Sequence, residues 1–249
     1  MGVGLLQLEK DMLVSKYDSL VANTVETFIE KQENLPKFFR RVRTSVAVLP
    51  TTLKYQHRHF LENRSSQIAN ATTIEEIFSI LNSYCNFLNC SLLAHVINMF
   101  GDEEVRKELN SYLTALQSFR SHTKITDFIK AFPENSEIPP EFVILKMRMG
   151  TEWEHCTLED IEEYRKSMAE HLSLADYAVY LMGGLPGSIY LLWSIPDHAV
   201  CIYAFTVDQH FSNWHSIEEV TIDGEGLEEY KQKYYLHDLP EFKVSNQII

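Results

Sequence analysis

Apolar positions recur at helical spacing through the first half of the chain, and crowd into short dense runs through the second. Leu5, Leu8, Met12, Leu13, Tyr17, Leu20, Val21, Val25, Phe28 and Ile29 recur at intervals of three and four and predict one long amphipathic helix. Pro36 opens a second helical segment, Lys37 to Val48, which Pro50 closes, and a third is expected from Leu53 to Arg64. Thr73-Ile-Glu-Glu76 has the form of a capping box, with Ile74, Ile77, Phe78, Leu81, Tyr84, Cys85 and Leu88 on one face behind it. Leu92, Leu93, Val96, Ile97 and Phe100 predict a short helix that stops at Gly101. Asp102 is placed to cap the next, which carries Val105, Leu109, Tyr112, Leu113, Leu116 and Phe119, and a last turn or two holds Ile125 to Phe132. Residues 1–133 therefore predict an all-helical bundle.

The period changes after PENSEIPPE, residues 133–141, where prolines and polar filler make a linker. Phe142 to Met149 reads as a strand with Leu145, Met147 and Met149 on one side and Lys146 and Arg148 on the other. Thr157-Leu-Glu-Asp160 caps a helix whose Leu158, Ile161, Met168 and Leu172 share a face. Tyr177 to Met182 is a second strand, Gly183 to Gly187 a turn, and Ser188 to Trp193 a third strand. Pro196 suits the first position of a helix reaching about Phe211, and Val220 to Ile222 is a fourth strand. The order β-α-β-β-α-β is that of a ferredoxin-like domain, expected over residues 140–224, with a tail over 225–249. The fold class expected is α+β, a helical bundle followed by this small domain.

A sheet covered by helices on one face should alternate apolar and polar positions along each strand. Here Phe142 to Leu145, Tyr177 to Met182 and Ile189 to Trp193 are apolar on both faces. Something is expected to cover the second face: the helical half, a partner, or an apolar ligand. Tyr180, Tyr190 and Leu192 are the candidate binding residues, with Val179, Ile189 and Leu191 as their alternates should the opposite face be the open one. A second candidate surface is the basic strip Lys37, Arg40, Arg41, Arg43, Lys54, Arg58 and Arg64, which stands out in a chain of 249 residues with a formal net charge of −13. A strip of this kind suits an acidic partner, an anionic lipid surface or the protein's own acidic half.

That overall acidity repels phosphate backbones and argues against nucleic acid as a partner. No apolar run reaches the roughly 18 residues of a membrane span. The first residues show no basic region and no cleavage pattern, so no secretory signal is expected. Cys85, Cys90, Cys156 and Cys201 are scattered through apolar stretches, as free thiols are in a reducing compartment, and the chain is expected to be cytoplasmic. On that reading the glycosylation patterns at Asn63, Asn70 and Asn89 go unmodified.

Catalytic and metal chemistry finds little support. His57 and His59 are two apart, a spacing that points helical side chains to different faces. Cys85 and Cys90 lack a second pair at zinc spacing. Gly183-Gly-x-x-Gly187 leads from strand to strand, whereas a phosphate cradle leads into a helix. Glu162-Glu163 and Glu218-Glu219 read as solvated faces. No catalytic residue, metal ligand or cofactor is expected.

Several segments in order carry a resemblance: Phe87 to Glu104 (FLNCSLLAHVINMFGDEE), then Leu109, Tyr112 and Phe119, the helix start Cys156-Thr-Leu-Glu-Asp160, Leu172-Ser-Leu174, and Gly187-Ser-x-x-x-x-Trp-Ser-Ile-Pro196. Together they resemble a little-characterised module of large invertebrate intracellular proteins, of sponge and cnidarian type, where it accompanies death-fold and other signalling domains. The likeness covers roughly residues 74–220; the Gly183–Gly187 turn is longer than the family's usual hairpin. The resemblance implies no catalytic residues. It implies a scaffolding or sensing role in immune or apoptotic signalling. The partners expected are proteins, with a homo-oligomer as one open alternative. The alternative is a ligand-sensing domain holding a small or apolar molecule between the bundle and the sheet.

Overall fold

The computed structural model describes residues 3–30, 70–71, 73–82, 85–131, 142–172, 174, 179–185, 189–196, 217–222 and 225–226. Helix α1 (Val3–Glu30) leads, followed by α2 (Ile74–Asn82), α3 (Ser91–Phe100), α4 (Glu103–His122) and α5 (Ile125–Ala131). Strand β1 (Phe142–Met149), a 3-10 turn (Thr151–His155) and α6 (Leu158–His171) come next. Strands β2 (Tyr180–Leu185), β3 (Tyr190–Pro196), β4 (Ile217–Ile222) and the short β5 (Glu225–Gly226) complete a mixed helix-and-sheet fold. The expected helices at 37–48 and 53–64, the linker, the helix from Pro196 to Phe211 and the tail beyond Gly226 lie outside the described residues.

Helix α1 differs from its expected face. Its core stripe is Leu6, Leu13, Tyr17, Leu20 and Phe28, all buried. Tyr17 stacks at 5.8 Å on Tyr112 of α4, and Phe28 at 5.5 Å on Phe78 of α2. Leu5, Leu8 and Met12, grouped with that stripe by spacing, are instead 51%, 56% and 54% exposed. The helix carries two apolar stripes where the sequence suggests one, because runs such as Leu5-Leu6 and Met12-Leu13 place neighbours about 100° apart on the helix.

The polar signals at helix starts are realised. Thr73 Oγ1 accepts from Glu76 N while Glu76 Oε2 accepts from Thr73 N. Asp102 accepts from Val105 N at 2.9 Å, and Thr157 with Asp160 forms a reciprocal capping box. Each cap satisfies donors that the first helical turn leaves without partners. Helix α2 is shorter than its apolar face, which runs on to Leu88. Asn86 Oδ1 accepts from the backbone N–H of Leu88 and Asn89, a side-chain turn that competes with helix.

The two segments meet directly. Leu158 N donates to Thr123 O at 2.9 Å and Ile125 N to Cys156 O at 3.0 Å, flanking a bridge between Lys124 and Thr157. The start of α6 is thereby fixed to the turn between α4 and α5.

The sheet order is β2-β3-β1-β4-β5, and every pairing is antiparallel. On β1 and β3 the pairs Leu145–Trp193 and Met147–Leu191 share one face, where β4 adds Val220 and Ile222. Helix α6 covers that face: Tyr164 lies 5.7 Å from Trp193 and 5.6 Å from Trp153, and its hydroxyl donates to Met147 Sδ at 3.5 Å. Burial of these rings removes several side chains from water at about 1.5–3 kcal/mol each.

Two boundaries move for backbone reasons. Gly183 and Gly184 lie inside β2 and not in a turn, and the register with β3 shifts between Leu181 and Gly183. Gly183 has φ 148°, a backbone that side chains disfavour, and a Cβ on Gly184 would lie 2.4 Å from Ile129 Cγ1 and 2.7 Å from Tyr190 O. The glycines therefore serve a strand irregularity packed under α5. Strand β3 extends through Pro196, which faces Phe142 at the last pair of the ladder and so ends a strand where a helix start is expected.

Candidate interaction surface and buried seam

The outer face of the sheet is formed by Phe142, Ile144, Lys146 and Arg148 on β1, with Tyr190, Leu192 and Ser194 opposite on β3. Tyr180 of β2 pairs with Ser194, and Thr221 and Glu219 of β4 pair with Lys146 and Arg148. Burial divides this face. Phe142, Tyr180, Leu192 and Ser194 are buried, with the Phe142 and Tyr180 rings 5.3 Å apart. Tyr190, Lys146, Arg148 and Glu219 stand open or half-open. Apolar positions on the second face are thus covered at one end, as their hydrophobicity demands, and the face turns polar at the other.

The open end is organised around Tyr190. Its hydroxyl donates to Glu219 Oε2 at 3.2 Å, and Lys146 Nζ lies 4.3 Å from its ring centroid. Arg148 Nη1 approaches Glu219 Oε2 at 3.9 Å. A cation over the ring and an anion at the hydroxyl hold the aromatic in one orientation at modest energetic gain. Of the three sheet residues singled out by sequence, Tyr180 and Leu192 lie inside and Tyr190 alone lines this open end. Lys37, Arg40, Arg41 and Arg43 lie outside the described residues, as do His57, His59 and Cys201.

Sequence reasoning passes over a second constellation. Glu162, read with Glu163 as a solvated pair, is buried in the seam between α4 and α6, and only Glu163 is exposed. Arg165 Nε and Nη2 each donate to Glu162 over 2.8 Å, and Arg120 Nη2 lies 3.4 Å from it. Arg120 also donates to the carbonyl of Leu88, and Arg165 Nη1 donates to Val179 O at 3.2 Å. The same carbonyl accepts from Asn89 Nδ2 at 3.2 Å. Burial pushes the Glu162 carboxyl up, but the Arg165 hydrogen bonds and charge, with Arg120 and Lys166 behind them, hold it below the ordinary carboxylate range. The signal available in sequence is the i, i+3 spacing of Glu162 and Arg165 on the apolar side of α6.

These groups line a cavity of about 20 Å³ with Leu88, Leu158, Ile161 and Leu181. That is room for about one water. Asn89, part of a glycosylation pattern, is 3% exposed, and its side chain is committed to Val179 and Ser91.

Cys85, Cys90 and Cys156 are not joined in a disulfide. The first two flank the Asn86 turn, and burial pushes the Cys85 thiol up to about 12. Among the described residues no group of three or more His, Cys, Asp or Glu side chains is placed to hold a metal ion, and no helix is long and apolar enough to cross a membrane. No family model, curated protein or solved structure matches the chain.

Proposed function

We propose that this chain is a protein-interaction or scaffolding module of intracellular signalling that presents the open end of its sheet to a protein partner. The observation that carries the reading is Tyr190, a partly buried aromatic at the open end, held between Lys146 and Glu219 and beside Arg148. Tyrosine and arginine are the side chains over-represented where binding energy concentrates, and a preoriented ring loses little freedom on contact. On this reading the second segment is a ferredoxin-like domain. The strand order β2-β3-β1-β4 and the helix α6 between β1 and β2 support that. The immune or apoptotic setting rests on the sequence resemblance over residues 74–220, and three described cysteines outside any disulfide support a cytoplasmic location.

The test is site-specific photocrosslinking in cells from position 190, with position 107, an exposed site on α4, as control. An adduct from 190 that disappears in the Arg148→Glu background, at unchanged thermal stability, is the expected result. Equal labelling from both positions would count against the reading. The alternative, a ligand between bundle and sheet, gains little from a seam whose cavity among the described residues is about 20 Å³.

A further inference from the structure

We infer that the chain self-associates through the outer stripe of α1, with the first turns of two copies packed parallel about a two-fold axis. This rests on the interaction reading and names a partner for it, a second copy of this chain, on a surface separate from the sheet.

The stripe is built as a short helix-pairing seam. Leu5, Leu8 and Met12 follow the alternating spacing of three and four that keeps apolar side chains on one seam, and each is about half exposed. They lie on the side of α1 turned away from Leu6, Leu13, Tyr17 and Leu20, which fill the core. The next seam positions are Ser15 and Ser19, small and exposed, so neither side chain holds a second helix away. A Cβ at Gly4 would meet nothing within 4 Å, so the start of the stripe is open as well.

Charge selects the occupant and its direction. Asp11 flanks the seam on one side and Lys16 on the other, both exposed. In a parallel pair a residue on the first flank meets the residue five positions later on the partner helix. Asp11 of each copy then meets Lys16 of the other, twice by symmetry. An antiparallel pair would bring first flanks together and set acid near acid. Gln7 Nε2 donates to Asp11 Oδ1 at 2.9 Å, which steadies the exposed carboxylate along the helix. A seam this short falls below the roughly 1,200 Å² of a standard interface, so the association is weak, with Kd on the order of 100 µM.

Sedimentation velocity of the full chain from about 10 to about 500 µM at low ionic strength tests this. The wild type is expected to move from monomer to dimer over that range, and Leu8→Asp to remain a monomer throughout. D11K and K16D each set like charges across the seam and are expected to weaken the dimer about tenfold. The double variant D11K/K16D restores opposite charges and is expected to return to within about threefold of wild type. A wild type that stays monomeric at the highest concentration overturns the inference, whatever else lies on α1. A dimer indifferent to the single charge reversals, or a double variant no better than the singles, overturns it too. Positions 11 and 16 are exposed, so these variants keep the test valid even where Leu8→Asp fails to fold. Position-190 crosslinking separates the two ideas: a strict monomer that still crosslinks there leaves the interaction reading standing alone.

Discussion

Arg165 grips Glu162 with two nitrogens, Nε and Nη2, each 2.8 Å from a carboxylate oxygen and both deep in the seam between α4 and α6. Two-point contact of this kind fixes the guanidinium in a plane, and its third nitrogen is left to reach the Val179 carbonyl. Removal of either partner strands a buried charge. Glu162→Ala and Arg165→Ala are each expected to lose about 3–5 kcal/mol of unfolding free energy, read from chemical denaturation. The paired apolar replacement E162L/R165M is expected to lose less than either single change, so the double-mutant cycle should show coupling of at least about 1 kcal/mol. Additive losses would mean the pair is not acting as a pair.

The same carboxylate sets an acid limit. Its folded pKa lies below its ordinary value of 4.5, so as pH falls the unfolded chain takes up the proton first. The stabilisation is fully present above about 4.5 and disappears as pH drops through the lower folded value. Stability measured between neutral pH and pH 3 is expected to fall more steeply for the wild type than for Glu162→Gln. Parallel curves would refute this assignment.

Gly184 sits where α5 presses on the sheet. Gly184→Ala pushes a methyl against Ile129 and the Tyr190 carbonyl, and a loss of about 1–3 kcal/mol is expected. In an Ile129→Ala background part of that cost should vanish, since two of the three close atoms are gone, while the backbone contact at 2.7 Å remains. Thermal unfolding of the four species gives the coupling.

The Cys85 thiol, held at about 12, carries about a thousandth of the thiolate of an ordinary cysteine at pH 8. Iodoacetamide followed by peptide mass spectrometry is expected to label Cys85 at least about a hundredfold faster in denaturant than in the folded protein. Comparable rates in both states would show that the site opens readily.

Helix starts were the most legible part of this chain, because a cap is written in three or four adjacent residues. Thr73-Glu76, Asp102 and Thr157-Asp160 all act as their types suggest. Strand β1 is legible over its full length for a related reason, since Lys146 and Arg148 alternate with the buried Leu145, Met147 and Met149. Long-range facts were not. Spacing places Leu5 and Leu13 on a single amphipathic helix, but only the partner helices decide which stripe is inside. Glu162 looked solvated because its cover comes from Arg120 on α4 and Arg165 one turn on, and two adjacent acids do not announce such partners. Tyr180 and Tyr190 belong to one apolar run pattern, and their different burial depends on what lies over the sheet, which periodicity along a strand does not encode.

The Val179 carbonyl accepts one hydrogen bond from a residue 90 positions earlier and another from 14 positions earlier. A chain made from its N-terminus has Asn89 in place long before that acceptor exists. During synthesis the loop after α2 therefore holds a polar side chain with its final acceptor still to come, beside apolar surface that α6 and β2 will later cover. The helices can form early, but the seam closes only after residue 179 has emerged, and closing it ties the loop after α2 to the segment that leads from α6 into β2.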